Sequence, residues 1–215
     1  LHDAITRRRD LQVNAIFVLA LLVAGVALAD RLSGLAEEGM YADEVIFAKS
    51  TPYQRIVITR GRASFQLFLN GNLQFSSADE HRYHEALVHP ALALAPEAKR
   101  VLVLGGGDGL AAREILKHPN IGEIVLVDLD PAMTRLATDL PLLRAQNEDS
   151  FHSPRVKVIN EDAYVWLGQD HGRFDAAIVD FPDPNNFALG KLYTTRFYRM
   201  LRRSLAPGAP AVVQS

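Results

Sequence analysis

The chain has 215 residues, no cysteine, 48% hydrophobic residues and a formal net charge of −2. Without cysteine there is no disulfide framework and no thiolate metal site, and the near balance of charge argues against a nucleic-acid partner. The length suits one globular domain with an appendage, and the first residue, Leu1 rather than Met, points to a piece of a longer protein.

In chain order, Arg7-Arg8-Arg9 precedes Val13–Ala29, which is apolar apart from Asn14. About 17 helical residues reach roughly 25 Å, the short limit for a bilayer crossing. The leading reading is the last helix of a membrane domain. A signal peptide also fits, given the basic start and the Ala27-Leu28-Ala29 ending. A helix buried in a globular core is the third reading. The triple Arg favours a cytoplasmic N-side, but Arg31, Arg55, Arg60 and Arg62 lie beyond the segment, so charge leaves the orientation open. The expectation is attachment to the inner or plasma membrane through this segment, with the remainder in the cytoplasm.

Asp30–Tyr41 reads as a polar connector. Short strands follow at Val45–Phe47, Gln54–Thr59, Phe65–Leu69 and Leu73–Phe75, with Asn70-Gly71 as a tight-hairpin signal. This is a small antiparallel β unit. Asp79 is placed to cap a helix through Glu85–Val88, which Pro90 is expected to kink or interrupt.

From Arg100 the pattern changes. Apolar strands at Val101–Leu104, Ile124–Val127, Val156–Ile159, Ala176–Val179 and Ala211–Val213 alternate with helices at Leu110–Lys117, Ala132–Leu140, Tyr164–Gly168 and Thr194–Leu205. Continuous apolar strands of this kind imply an α/β fold with a doubly wound, Rossmann-like parallel sheet. The expected layout is an apolar helix and connector over 1–40, a β unit over 41–78 and a nucleoside-binding domain over 79–215.

Ligands on such sheets bind beyond the carboxyl ends of the strands. Gly105, Gly106, Gly107 and Gly109 make the first of these loops, letting the backbone turn sharply and approach a ligand. Asp128 ends the second strand, where a carboxylate takes both ribose hydroxyls. Asp162 follows the third strand and is placed for an adenine amino group. No Gly-Lys-Ser/Thr follows the glycines, so the loop is not a P-loop. Asp108 would set a negative charge where a dinucleotide's pyrophosphate lies, which suits a cationic, phosphate-free nucleoside instead. Asp180 ends the fourth strand and, with Asp183, is presented on a turn stiffened by Pro182 and Pro184. Two carboxylates beside a nucleoside pocket suggest chemistry on a cationic amine.

These residues resemble the polyamine aminopropyltransferases (spermidine synthase-like), over about residues 44–215. The likeness rests on Thr51-Pro52-Tyr53-Gln54, Leu69-Asn70-Gly71, Asp79-Glu80-x-x-Tyr83-His84-Glu85, Val103–Gly109, Glu161-Asp162-Ala163 and Asp180-x-x-Asp183-Pro184. The apolar N-terminal segment looks like the end of the membrane domain carried by a longer subgroup. The resemblance implies that decarboxylated S-adenosylmethionine donates an aminopropyl group to a diamine, usually putrescine, with no metal. By motif position it makes Asp180 the base, with Tyr83 helping to hold the amine. It gives Gln54, Gly105, Gly107, Asp108, Gly109, Asp128 and Asp162 to the donor, with Asp108 on its ammonium. It gives Asp183, His84, Glu80 and Tyr193 to the amine side of the cavity. A homodimer is implied as well.

Three positions depart from the family pattern: Leu110 where another glycine is frequent, Asp128 where Glu is frequent, and Phe181-Pro182 where small hydroxyl residues are common. The family sheet also continues with a helix and an antiparallel hairpin beyond Ser215. His81, His84 and Glu85 do not have a standard zinc spacing. Arg196, Arg199, Arg202 and Arg203 read as a solvated face, with acidic lipid headgroups as the alternative contact. Two other functions are open: an amine methyltransferase using S-adenosylmethionine itself, and a non-catalytic polyamine or nucleoside sensor.

Overall fold

The computed structural model describes residues 14–26, 28, 39–182, 184 and 187–214. Residues 14–26 form a helix, α1, whose large apolar side chains are exposed, from 53% at Val18 to 79% at Val26. Among the described residues no helix is long and apolar enough to cross a membrane, so the expected span finds no support there. The rest of the expected segment, Val13, Ala27 and Ala29, lies outside the described residues.

The β unit is a four-stranded antiparallel meander of β1 (Glu44–Ser50), β2 (Arg55–Arg60), β3 (Phe65–Leu69) and β4 (Asn72–Ser76). Asn70 and Gly71 both take positive φ, 52° and 79°, which gives the tight turn the twist its flanking strands need. Strand β1 runs longer than its apolar run implies, because its edge pairing with β2 continues to Ser50↔Arg55 through polar residues.

Helix α2 (Glu80–Leu94) follows. Asp79 precedes it without a side-chain capping bond, and Pro90 lies inside the helix without ending it. Proline removes one N–H and leaves the carbonyl four residues earlier without its partner. Both Pro90 and Ala86 are exposed, so water can take that bond.

The second sheet has the order β7-β6-β5-β8-β9, all parallel. Its strands are β5 (Arg100–Gly105), β6 (Glu123–Asp128), β7 (Val156–Asn160), β8 (Ala176–Asp180) and β9 (Ala211–Val213). Between them lie α3 (Leu110–Leu116), α4 (Pro131–Asp139), α5 (Pro141–Gln146), α6 (Ala163–Trp166), α7 (Phe187–Gly190) and α8 (Thr195–Arg203). Helices α5 and α7 carry no apolar periodicity over their short lengths and were not expected.

The period of two along each strand sorts its side chains between the faces. Val101, Val103, Ile124, Leu126, Ala176 and Ile178 pack beneath α2 and α3. Leu102, Leu104, Val125, Val127, Ala177 and Val179 pack against Trp166, Phe197 and Leu201 of α6 and α8. Burial of each Val, Leu or Ile contributes about 1.5–3 kcal/mol. Because both faces are covered, the central strands β5, β6 and β8 are apolar between their ends, whereas the edge strand β7 carries an exposed Lys157. The order reverses between β5 and β8, and the loops leaving those two strands diverge there to open a crevice.

Candidate active site

Parallel pairing sets Gly105 opposite Asp180 at the carboxyl ends of β5 and β8. A cavity of about 600 Å³ opens over these ends, roofed by Leu69, Asn70 and Leu73 of the β unit. Asp108, Asp128, Asp162 and Asp180 all line it. The β unit is tied to the sheet by Asp130, whose Oδ2 accepts from Thr51 Oγ1 at 2.8 Å and from Gln54 Nε2 at 3.0 Å. Oδ1 of Asp130 caps α4 through Ala132 N–H. Gln54 thus lines the cavity while its amide nitrogen is committed to Asp130.

The backbone comes within hydrogen-bond reach of Asp128 at Gly107, whose N–H donates to Asp128 Oδ2 at 3.0 Å. A Cβ at position 107 would lie 2.6 Å from that oxygen. Oδ1 takes Asp130 N–H at 2.8 Å. Each carboxylate oxygen keeps lone-pair capacity for a ligand hydroxyl. Burial pushes Asp128 up to about 6, the amide of Asp130 opposes this, and the Asp108 charge adds to it. Gly105 also lines the cavity, but Gly109 does not. Gly109 is the left-handed residue before α3 (φ 83°), and a Cβ there would meet Ser150 Oγ at 2.8 Å. That close approach and the left-handed backbone account for the glycine by the fold alone. Asp108 accepts Leu110 N–H at 2.9 Å, so Leu110 is accommodated where another glycine is frequent.

Asp162 caps α6 through Tyr164 N–H and also accepts from Lys191, which lines the same end of the cavity. At the other end Tyr83 Oη donates to Asp180 Oδ1 at 2.5 Å. Burial and the Asp108 charge push Asp180 up to about 6, while His84 and the Tyr83 bond oppose them. Burial and the Asp180 charge move the Tyr83 phenol in turn well above its ordinary value, so Tyr83 remains a donor. Gln214, after β9, lines the same region with a buried Oε1 that has no hydrogen-bond partner.

His84 lines the cavity, but Glu80 does not. Glu80 is 2% exposed, and its carboxylate is turned away to Arg113, Gln146 and His84. The expected place on the amine therefore has no support in the cavity lining. Burial pushes Glu80 up, and the bonds from His84, Arg113 and Gln146 outweigh it to hold the carboxyl well below the usual range. Tyr193 donates to the Pro182 carbonyl at 3.0 Å and braces the acidic turn from beneath. The ring of Phe181 is buried edge-on against Phe197, and Phe181 and Pro182 both line the cavity, so that departure bears on its shape. Asp183 lies outside the described residues. Among the described residues no cluster of His, Cys, Asp or Glu is arranged to hold a metal ion.

Lys191, Gln214, Asp130 and Arg113 are the residues that sequence reasoning missed. The first three sit one to three residues from a strand or helix end that faces the cavity, and that position is the signal that would have found them.

A glycine turn opposite an acid-tipped neighbouring strand, with a further acid at the end of β6, is the arrangement of a Rossmann-like α/β domain with its cavity at the carboxyl ends of the strands. Comparison with known proteins narrows this class. Residues 80–215 match the family model described as the spermine/spermidine synthase domain, and the chain belongs to that family. It is 51% identical over 205 residues to a polyamine aminopropyltransferase of Leptospira interrogans, covering 95% of this chain and 41% of the relative. It is 50% identical over 213 residues to polyamine aminopropyltransferase 1 of Streptomyces coelicolor, covering 97% and 40%. Among solved structures, a spermidine synthase in complex with the transition-state analogue AdoDATO superposes with a TM-score of 0.71 at 31% identity, covering 75% of this chain and 55% of that one. The spermidine synthase of Thermotoga maritima gives 0.69 at 30% identity, covering 75% and 54%. The chain therefore spans about two fifths of the length of the curated relatives it matches.

Proposed function

We propose that the protein carrying this chain transfers the aminopropyl group of decarboxylated S-adenosylmethionine to a diamine, putrescine being the expected acceptor, with 5′-methylthioadenosine as the other product. The observation that carries the reading is the pairing of Asp180 with Tyr83 at the mouth of a nucleoside cavity that also holds Asp108. Family membership and relatives named polyamine aminopropyltransferase support it.

In this reading Asp128 takes the ribose hydroxyls, Asp162 the adenine amino group and Asp108 the donor's ammonium. Gln54, Gly105 and Gly107 complete the donor's surroundings. An aliphatic ammonium has a pKa near 10 and no free electron pair. Asp180 accepts one proton from it, and Tyr83 holds the carboxylate in line. The freed nitrogen pair attacks the carbon beside the sulfonium, the C–S bond breaks, and its electrons stay on sulfur as a neutral thioether. The new secondary ammonium carries the positive charge, and the proton on Asp180 leaves to solvent. His84 and Gln214 line the acceptor side, and the resemblance gives Asp183 to the amine as well. Orientation supplies most of the acceleration, and proton removal adds about 10²–10⁴-fold.

We assign residues 41–78 to the β unit and 79–215 to the catalytic domain. Membrane attachment through the N-terminal segment rests on the exposed apolar side chains of α1, and a homodimer rests on the resemblance. The test is product analysis: spermidine and 5′-methylthioadenosine should appear in equal amounts from the donor and putrescine. A methylated amine formed from S-adenosylmethionine would replace this reading with methyl transfer.

A further inference from the structure

Behind the cavity wall lies a buried ionic cluster that none of the proposed steps uses. Glu80, Arg113 and His84 have side-chain exposures of 0%, 1% and 2%. Arg113 grips Glu80 through Nη1 at 2.6 Å and Nη2 at 3.0 Å, and Gln146 donates to the same carboxylate at 2.6 Å. His84 Nδ1 lies 2.8 Å from Glu80 Oε2 and 2.9 Å from the Glu80 carbonyl oxygen. Both partners are acceptors, so Nδ1 carries the hydrogen. Nε2 is then the ring nitrogen left for the cavity.

We propose that Glu80 is a positioning residue: clamped by Arg113 and Gln146, it fixes a hydrogen on His84 Nδ1, so that Nε2 is the nitrogen that titrates, and it favours the doubly protonated, cationic ring in the cavity that Asp108 and Asp180 also line. The inference rests on the proposed function for its catalytic meaning. Buried carboxylates that share a site raise one another's proton affinity unless a cation is near. The cavity is lined by several, and Lys191 is committed to Asp162 at the far end. A charge on His84 would oppose the upward push on Asp180 from burial and Asp108. Burial works against a charged His84, but the Glu80 bond and the Asp108 and Asp180 charges outweigh it.

Every charged neighbour fits this arrangement. On α2 itself stand Glu80, Tyr83 and His81, the last lying against Glu80 and Arg113. From α3 come Arg113 and Glu114, which is paired with Arg113 and Lys117. The loop after β5 brings Asp108, and the end of β8 brings Asp180. A buried carboxylate with three donors is costly to retain, and a purely structural site would be served as well by apolar packing. The cluster makes sense if the charge on His84 matters.

The test has two readouts. Imidazole NMR of the ligand-free wild-type protein should show His84 as the Nδ1–H form, with a titration midpoint above the ordinary value near 6.5. A midpoint below that value, or a hydrogen on Nε2 alone, would overturn the proposal whether or not any variant folds. Second, Glu80→Gln should move the acidic limb of kcat/KM upward by about one pH unit, as Asp180 loses its cationic neighbour. In a His84→Gln background the same change should shift nothing. An acidic limb that stays in place in folded Glu80→Gln would reduce the cluster to a structural one. Absence of aminopropyl transfer in the wild type would sink the proposed function instead, leaving the NMR result to decide the placement of the charge.

Discussion

Tyr83 donates a 2.5 Å hydrogen bond to Asp180 across a separation of 97 residues, joining the first turn of α2 to the end of β8. The bond stabilises the ionised carboxylate, so it opposes the upward push from burial and Asp108. Tyr83→Phe should therefore raise the Asp180 pKa further and lift the acidic limb of the kcat/KM profile. The loss in kcat/KM near pH 7 should be about tenfold, and a pH–rate profile of the variant checks it.

Asp180→Asn removes the proton acceptor while keeping a group that takes the Tyr83 bond. Turnover should fall by about 10²–10⁴-fold. Donor affinity should change little, because ribose, adenine and ammonium are assigned to Asp128, Asp162 and Asp108. Single-turnover kinetics together with calorimetric donor binding separate the two effects.

The same variant should be more stable than the wild type at neutral pH without ligand. Asp180 titrates at about 6 in the fold against a reference of 3.8. An acid with a raised pKa binds its proton preferentially when folded, so stability falls as pH rises from about 4 to about 6. Above that window ionised Asp180 costs about 1–3 kcal/mol. Thermal melts should show Asp180→Asn several degrees higher at pH 7.5 and level with the wild type at pH 4. A variant less stable at both pH values would contradict the charge assignment.

Gly107→Ala brings a methyl group to 2.6 Å from Asp128 Oδ2. Either the loop or the ribose acid must shift, so nucleoside affinity should fall at least tenfold while the fold persists. Titration with 5′-methylthioadenosine reads this directly, and far-UV circular dichroism reads the fold.

Features determined by neighbours in sequence were legible in advance. The apolar strands, the Asn70-Gly71 turn and the acids at strand ends follow from local chemistry, and the parallel sheet follows from their alternation. What the sequence concealed depends on partners far along the chain. Glu80 reads as a cavity residue from its motif, but its carboxylate turns to Arg113, and nothing local marks Arg113 as buried. Gly109 reads as part of the ligand turn, although what it approaches is Ser150. Lys191, which follows β8, meets Asp162, which follows β7, across the ends of β6 and β5 that lie between them, an order the sequence does not carry. For the apolar run at the N-terminus, hydropathy suggested a span, and among the described residues no helix is long and apolar enough to make one.

The central claim is that the cavity binds a donor with no carboxylate on its tail, because Asp108 meets that tail. The most direct measurement is calorimetric binding of decarboxylated S-adenosylmethionine against S-adenosylmethionine, on protein that carries this chain at the length of its curated relatives. At least a tenfold preference for the decarboxylated form, about 1.4 kcal/mol, is the predicted result. Equal affinity, or preference for the carboxylated form, would contradict the assignment of Asp108 and with it aminopropyl transfer.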